Sequence, residues 1–184
     1  MITIDKSLCI GKGSERYCYR HPGDQDICIK VAYKAARNNK QNIKEYQYYR
    51  KRLKRVSSWA HIPRCHGWVA TDLGSGLAFD FISDMHGQPC KSLHEALASG
   101  ALSLEQLAGP LEDLRSYLLK NRIIVCDLRS KNILCRTEGH QVRLYLVDGL
   151  GNGDFLKIAD HVPALAKAKI ERHWRRLMVE VEKL

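Results

Sequence analysis

One stretch, Ile123-Ile124-Val125-Cys126-Asp127-Leu128-Arg129-Ser130-Lys131-Asn132-Ile133-Leu134-Cys135, joins residue types that can do chemistry to a spacing that gives them a task. Two apolar, β-prone runs flank a polar loop that has a carboxylate at its start and an amide five residues on. A carboxylate so placed can take a proton from a substrate hydroxyl. An amide oxygen at the far end of a tight loop can hold a metal bound to phosphates. The bland alternative is a polar loop between two buried strands, and the short words Asp-Leu and Asn-Ile-Leu do not exclude it. Upstream, Gly11-Lys12-Gly13 spaces two glycines so that backbone N–H groups can approach an anion, though hairpin turns use the same residues.

The elements that must position these groups are legible from periodicity. Leu8-Cys9-Ile10, Arg16–Arg20 and Ile27–Val31 read as three short strands separated by Gly11–Ser14 and by His21-Pro22-Gly23-Asp24. Lys40 to Val56 carries Ile43, Tyr46, Tyr49, Leu53 and Val56 at three-to-four spacing and predicts a long amphipathic helix. Glu45 is its single acid, read either as an intrahelical partner or as a partner for Lys30. His66–Ala70 and Gly76–Ile82 read as two more strands around the turn Asp72–Ser75. Ser92-Leu93-His94-Glu95 and Ser103-Leu104-Glu105-Gln106 have capping-box form and start helices. The second helix has Leu104, Leu107, Leu111, Leu114 and Leu118 on its core face, with a break or kink expected at Gly109-Pro110. A strand hairpin ending in Val147-Asp148-Gly149 follows the polar loop. A last helix from about Pro163 has Leu165, Ile170, Trp174, Leu177, Met178 and Val181 inside.

Composition bounds the rest. The 184 residues, 45% hydrophobic and 27% charged, suffice for one domain or for two lobes sharing a cleft. No apolar run approaches bilayer length, and the N-terminus lacks the pattern of a signal peptide, so a cytoplasmic location is expected. Seven cysteines, an odd number without a C-x-x-C pair, predict buried reduced thiols rather than disulfides or zinc. Cys65-His66 with His61 lacks the second half of a metal site. The net charge of +10 favours anionic partners: nucleotide phosphates, nucleic acid, anionic lipid or a phosphorylated surface. Lys34, Arg37, Lys40, Lys44, Arg50, Lys51, Arg52, Lys54 and Arg55 crowd one segment, which reads first as a solvated helix face.

The order of parts resembles a protein-kinase-like fold: an α+β, bilobal arrangement with a five-stranded antiparallel N-lobe carrying one long helix and a truncated, mainly helical C-lobe. The expected organisation is a single domain over 1–184, with an N-lobe to about 83, a hinge at about 80–90 and a C-lobe from about 91. Within that type the chain is closely similar to the YrbL family, small bacterial proteins named for the PhoP regulatory network. The matching words include Arg16-x-Cys18-Tyr19-x-His21-Pro22, Cys28-Ile29-Lys30, Ile62-Pro63-Arg64-x-His66-Gly67 and Asn132-Ile133-Leu134-Cys135. The match is dense over the first two thirds and thin after about Gly151.

The resemblance to kinases implies ATP and Mg2+ as cofactors and assigns roles position by position. Gly11 and Gly13 would cover the phosphates, and Lys30, held by Glu45, would pair the α- and β-phosphates. Asp80, Phe81 and Ile82, in a hinge running to Asp84, would receive adenine through backbone groups. Asp127 resembles the catalytic base, Asn132 and Asp148 the magnesium ligands, and Arg129 a contact to the transferring phosphate. Three departures limit the likeness. Arg16 stands where a third glycine is usual, Val125-Cys126 replace His-Arg, and Asp148-Gly149-Leu150 lacks the aromatic of D-F-G. Thirty-six residues follow Asp148, without A-P-E, so a conventional peptide platform is not expected. The implied partners are ATP and an unidentified phosphate acceptor, protein or small molecule, with an acidic protein at the basic helix. Two other readings stand beside phosphotransfer: a nucleotide-binding scaffold without turnover, and a basic nucleic-acid or anionic-surface binder, of which nucleic acid is the less favoured.

Overall fold

The computed structural model describes residues 1–33, 39–139, 141–151 and 162–184. Lys34 and Arg37 of the basic run lie outside the described residues. The chain divides into two compact units, Met1–Arg55 with Pro63–Pro89 and Val56–Ile62 with Cys90–Leu184.

The first unit is a five-stranded antiparallel sheet with one helix. Strands β1 (Cys9–Lys12), β2 (Arg16–His21), β3 (Asp24–Ala32), β4 (Cys65–Thr71) and β5 (Gly74–Asp80) are ordered β1-β2-β3-β5-β4. The central strand β3 buries Cys28, Ile29, Lys30 and Val31 in succession, so both faces of the sheet are covered there. Ile29 and Val31 pack with Ile4 and Tyr19, while Lys30 points the other way, to helix α1 (Lys40–Lys51). Gly76 on β5 lets the strands close, since a Cβ there would stand 2.5 Å from Ile29 Cγ2. The helix is shorter than expected and turned by one residue. A 3-10 turn, Leu53–Arg55, follows it, and Asn42, Glu45, Tyr48 and Tyr49 are buried while Ile43 is 41% exposed. Both rows have helical spacing; the polar row faces inward because its partners are buried there. Lys40, Lys44, Arg50 and Lys51 face solvent, as a solvated face requires.

The second unit contains α2 (Leu93–Ala98), α3 (Leu104–Lys120), the hairpin β6 (Ile133–Glu138) and β7 (Gln141–Leu146), and α4 (Pro163–Val181). Both predicted capping boxes form, each with the serine hydroxyl accepting the third-residue amide and the Glu or Gln side chain accepting the serine amide. The expected break at Pro110 does not occur; α3 runs through it. A proline inside a helix costs about 3 kcal/mol. Leu107, Leu111, Leu114 and Leu118, all buried on one face, offset that cost. The run Ile123–Val125 is buried but is not a strand, making a single bridge between Val125 and Leu150. The hairpin ends at Leu146, before Val147-Asp148-Gly149. In α4, Ala166, Lys169, Ile170, Trp174, Leu177 and Val181 are buried, whereas Leu165 is 47% exposed.

All seven cysteines are free. Cys28, Cys90 and Cys135 are buried, but Cys9 and Cys126 are exposed, which corrects the expectation of uniformly buried thiols. No helix among the described residues is long and apolar enough to cross a membrane.

Candidate functional site

In the first unit Glu45 faces Lys30 and not its own helix. Lys30 Nζ donates to Glu45 Oε1 at 3.0 Å and lies 4.4 Å from the Phe79 ring centroid. Arg16, in the position of the missing third glycine, turns inward. Its Nη1 is 2.5 Å from Glu45 Oε2 and 2.5 Å from Asn42 Oδ1. Asn42 Nδ2 donates to the Lys30 carbonyl at 2.9 Å, which closes a ring of four residues. All four are at most 7% exposed. Two cations therefore share one carboxylate out of water, where charge interactions are least screened.

The two glycines of β1 and its turn behave differently from their assigned role. Neither has a left-handed φ, and an added Cβ would meet nothing nearer than 3.8 Å at Gly11 or 3.5 Å at Gly13. The fold itself therefore does not require glycine at either position. Gly13 N–H is already given to the Arg16 carbonyl at 2.9 Å, and its carbonyl accepts from Tyr33 Oη at 2.5 Å. At the end of β5, Asp80 and Phe81 also have their amides engaged, by the Arg64 carbonyl at 3.0 Å and the Asp26 carbonyl at 2.7 Å. The Asp80 carboxylate meets His66 Nε2 at 2.6 Å and Arg64 N at 2.8 Å. Ile82 follows, outside the strand and buried.

In the second unit one backbone position gathers the polar loop. Gly149 has φ +77, and a Cβ there would overlap the Asp127 carbonyl, so glycine is needed for both reasons. Its own carbonyl accepts from Cys126 N at 2.8 Å and Asp127 N at 3.3 Å. Asn132 Nδ2 donates to the Asp127 carbonyl at 2.9 Å and to Asp127 Oδ2 at 3.1 Å. Val147 N donates to the Asn132 carbonyl at 2.9 Å, so Asp148 begins beside Asn132. Asp127, Asn132 and Asp148 are thus brought together by main-chain bonds and by the Asn132 side-chain amide. Arg129 joins them through an ion pair, Nε to Asp127 Oδ1 at 2.6 Å, with both side chains substantially exposed. The Cys126 thiol points back to the Gly149 carbonyl at 3.2 Å. Desolvation of the sulfur pushes it up, Asp127 and Asp148 add to this, and Lys169 opposes.

The donor set fits a hard cation. With the Asn132 amide nitrogen spent on Asp127, its oxygen remains for a ligand, and Asp148, one of whose carboxylate oxygens accepts from Gly149 N at 2.8 Å, follows the residue bonded to the Asn132 carbonyl. Magnesium is commonly held by one or two such oxygens together with substrate phosphates, not by a full protein cage. No group of three or more His, Cys, Asp or Glu residues suited to a metal occurs among the described residues.

Sequence reasoning missed several participants. Asn42 carried a signal, since it lies three residues before Glu45 on the same helical face. Arg16 was visible as a departure, but nothing local says that its guanidinium turns inward. Ser130, fully buried, donates from Oγ to Glu180 Oε1 at 2.5 Å across fifty residues of sequence, a contact with no local signal.

Comparison with known proteins bears on the family and the fold. The chain is 33% identical over 184 residues to protein YrbL of Escherichia coli (strain K12), covering 98% of this chain and 88% of the relative, and equally to its counterpart in Shigella flexneri. Among solved structures it is similar to the kinase domain of Mycobacterium tuberculosis PknI. A double mutant of that domain gives a TM-score of 0.52 at 15% identity, covering 77% of this chain and 56% of that one. A single mutant gives 0.50 at 17% identity, covering 78% and 58%. The chain thus spans little more than half the length of those domains, and at such identity the likeness is one of fold. The family pattern described as PhoP regulatory network protein YrbL matches residues 2–182, and the chain, kinase-like in fold, belongs to that family.

Proposed function

We propose that the protein is an ATP- and Mg2+-dependent phosphotransferase of minimal kinase type. The observation that carries this reading is the Gly149-centred arrangement of Asp127, Asn132 and Asp148. Asp127 accepts the proton of an acceptor hydroxyl whose oxygen forms the new bond to the γ-phosphorus. The bond from that phosphorus to the β,γ-bridging oxygen breaks, and ADP leaves with the electron pair. Lys30, fixed by Glu45, binds the phosphates, while Asn132 and Asp148 hold the magnesium. When bound, that ion supplies charge neutralisation on the phosphate oxygens. Gly11 leaves room for close approach of the nucleotide, and the hinge from Asp80 to Ile82 receives adenine. The basic face of α1 is where an acidic protein would dock. Nucleic acid suits that face less well. Tyr48 and Tyr49 are buried, and Tyr46 packs edge-on to Trp68 at 5.7 Å, so few rings are left for base stacking.

A scaffold that binds nucleotide without turnover is favoured by one feature, the Arg129–Asp127 ion pair, which occupies a base oxygen. One experiment separates the two. Mg2+-dependent stabilisation by ATP is expected in thermal melts, together with ADP formation that falls by about 100- to 10,000-fold in Asp127→Asn while the thermal shift persists. Absence of any ATP stabilisation with Mg2+ or Mn2+ would sink both nucleotide readings. ATP binding without ADP formation would leave the scaffold, and turnover indifferent to Asp127 would sink its role as the base.

A further inference from the structure

The core does not account for Gly109-Pro110 inside α3. Gly109 is exposed and Pro110 only half-buried, outside the row of Leu107, Leu111, Leu114 and Leu118. A Cβ on Gly109 would meet nothing within 4 Å, so packing does not ask for glycine there. These are the two residue types least favourable inside a helix. Pro110 also has no N–H to give, which leaves the Gln106 carbonyl without its helical bond.

Both residues line a groove of about 720 Å3 within the second unit. Gln106 and Asp113 continue its α3 wall, and Val142 and Arg143 stand on the hairpin wall. Residues 106 to 113 cover about 10 Å of helix, the span of roughly three extended residues. The hairpin wall is a sheet edge. Leu146 N donates to the His61 carbonyl, and Cys135, paired across the hairpin with Leu144, donates from its N to the Lys91 carbonyl. Both amides therefore turn away from the hairpin. Main-chain direction alternates along an antiparallel strand, so Val142, four residues before Leu146, also turns its N–H and C=O outward on the His61 side. His61 covers the edge at Leu144 and Leu146. Among the described residues no main-chain bond from outside the hairpin reaches Val142.

The groove also carries charge of both signs. Arg136 is taken by Glu138, Nε to Oε1 at 2.8 Å. Asp113 and Arg143 are exposed on opposite walls, and neither makes a hydrogen bond or an ion pair among the described residues.

We propose that this groove docks an extended peptide segment of a partner protein. The peptide adds to the β7 edge at Val142, lays an apolar side chain on Gly109-Pro110, and presents a cation to Asp113 and an anion to Arg143. An unpaired edge is a template for strand addition, in which main-chain bonds give affinity and side chains give selectivity. The bare Gly109 leaves the room that such a side chain needs. Charge of both signs favours a peptide over nucleic acid or an anionic lipid surface, each of which offers one sign. The assignment is independent of the phosphotransfer reading.

The test is selection of a displayed random heptapeptide library on the full chain, followed by anisotropy titration of the enriched peptides, synthesised with a fluorophore. Peptides carrying both signs of charge around an apolar residue are expected, with saturable binding to the wild type. Gly109→Leu fills the groove where the fold has room. Val142→Pro removes an outward N–H, a change that an edge strand tolerates. Each is expected to weaken binding at least tenfold, and Lys44→Ala, on α1, to leave it unchanged. The double variant Asp113→Lys with Arg143→Glu is expected to reject these peptides and to accept their charge-reversed forms. Should Val142→Pro not fold, Gly109→Leu and the charge reversal decide. No saturable peptide, equal binding in Gly109→Leu, equal loss in Lys44→Ala, or indifference to charge reversal would overturn the assignment. So would a wild-type dimer in sedimentation that Gly109→Leu abolishes, which would give the groove to a second copy of the chain.

Discussion

Glu45 answers to two cations at once, and this makes it the most constrained charge in the first unit. Buried ion pairs contribute little net stability when intact, but removing one partner strands the other. Glu45→Ala leaves Arg16 and Lys30 buried together as like charges and is expected to cost about 3–5 kcal/mol. Urea denaturation measures it; a loss below 1 kcal/mol would show that the two cations escape to solvent. Gly149 is constrained by its backbone. Gly149→Ala must bear more than the roughly 1–2 kcal/mol of a left-handed φ, since its methyl also meets the Asp127 carbonyl. The expected result is a lower denaturation midpoint together with impaired magnesium-dependent ATP turnover, because the displaced group is the loop that carries Asp127.

At the scale of elements, the second unit is tied together by contacts between sequence-distant segments. The short segment Val56–Ile62 joins it through His61, whose Nδ1 donates to the Leu144 carbonyl at 2.9 Å, and through Leu146 N, which donates to the His61 carbonyl at 2.8 Å. The His61 ring lies 5.0 Å from that of Tyr117, whose hydroxyl donates to the Ser58 carbonyl at 2.6 Å. Burial holds the His61 imidazole below its ordinary value of 6.5, and Arg143 adds to this, while the bond to Leu144 and the charge of Asp113 oppose. A depressed folded-state value means that the unfolded chain binds the proton more readily, so this contribution is full above pH 6.5 and is lost as pH falls. The denaturation midpoint should therefore drop between pH 7 and pH 5, and His61→Gln should flatten that part of the profile. An unchanged slope in the variant would assign the drop elsewhere.

For the whole molecule, the net charge of +10 supplies a field that favours anions irrespective of where they finally bind. The screening length shortens from about 10 Å at 0.1 M salt to about 3 Å at 1 M. Affinity for Mg2+-ATP, measured calorimetrically, is expected to fall severalfold over that range, chiefly through slower association. Salt-independent affinity would mean that the local contacts of Lys30 and the metal ligands account for recognition without help from the surrounding charge.

The local words of the sequence determined much of this protein. Both capping boxes, the strand-forming segments and the Asp127–Asn132 spacing depend on neighbours within a few residues, so they could be read before any fold was known. The antiparallel pairing of the strands, by contrast, came only with the resemblance to kinases. Helix α1 was legible as a helix but not in its rotation, because Asn42–Glu45–Tyr49 and Ile43–Tyr46–Tyr49 share the same period. Only the buried cations opposite decided which row turned inward. The unbroken run of α3 through Pro110 was likewise a tertiary decision, made by the leucine face that packs along its length. The site divides in the same way. The sequence determined which acids and amides were on hand, whereas the fold decided that Arg16 would share Glu45 and that Glu180 would cap Ser130. Contacts of this kind form between residues 29 and fifty positions apart, where no periodicity reaches and only the closing of the chain brings donor and carboxylate together.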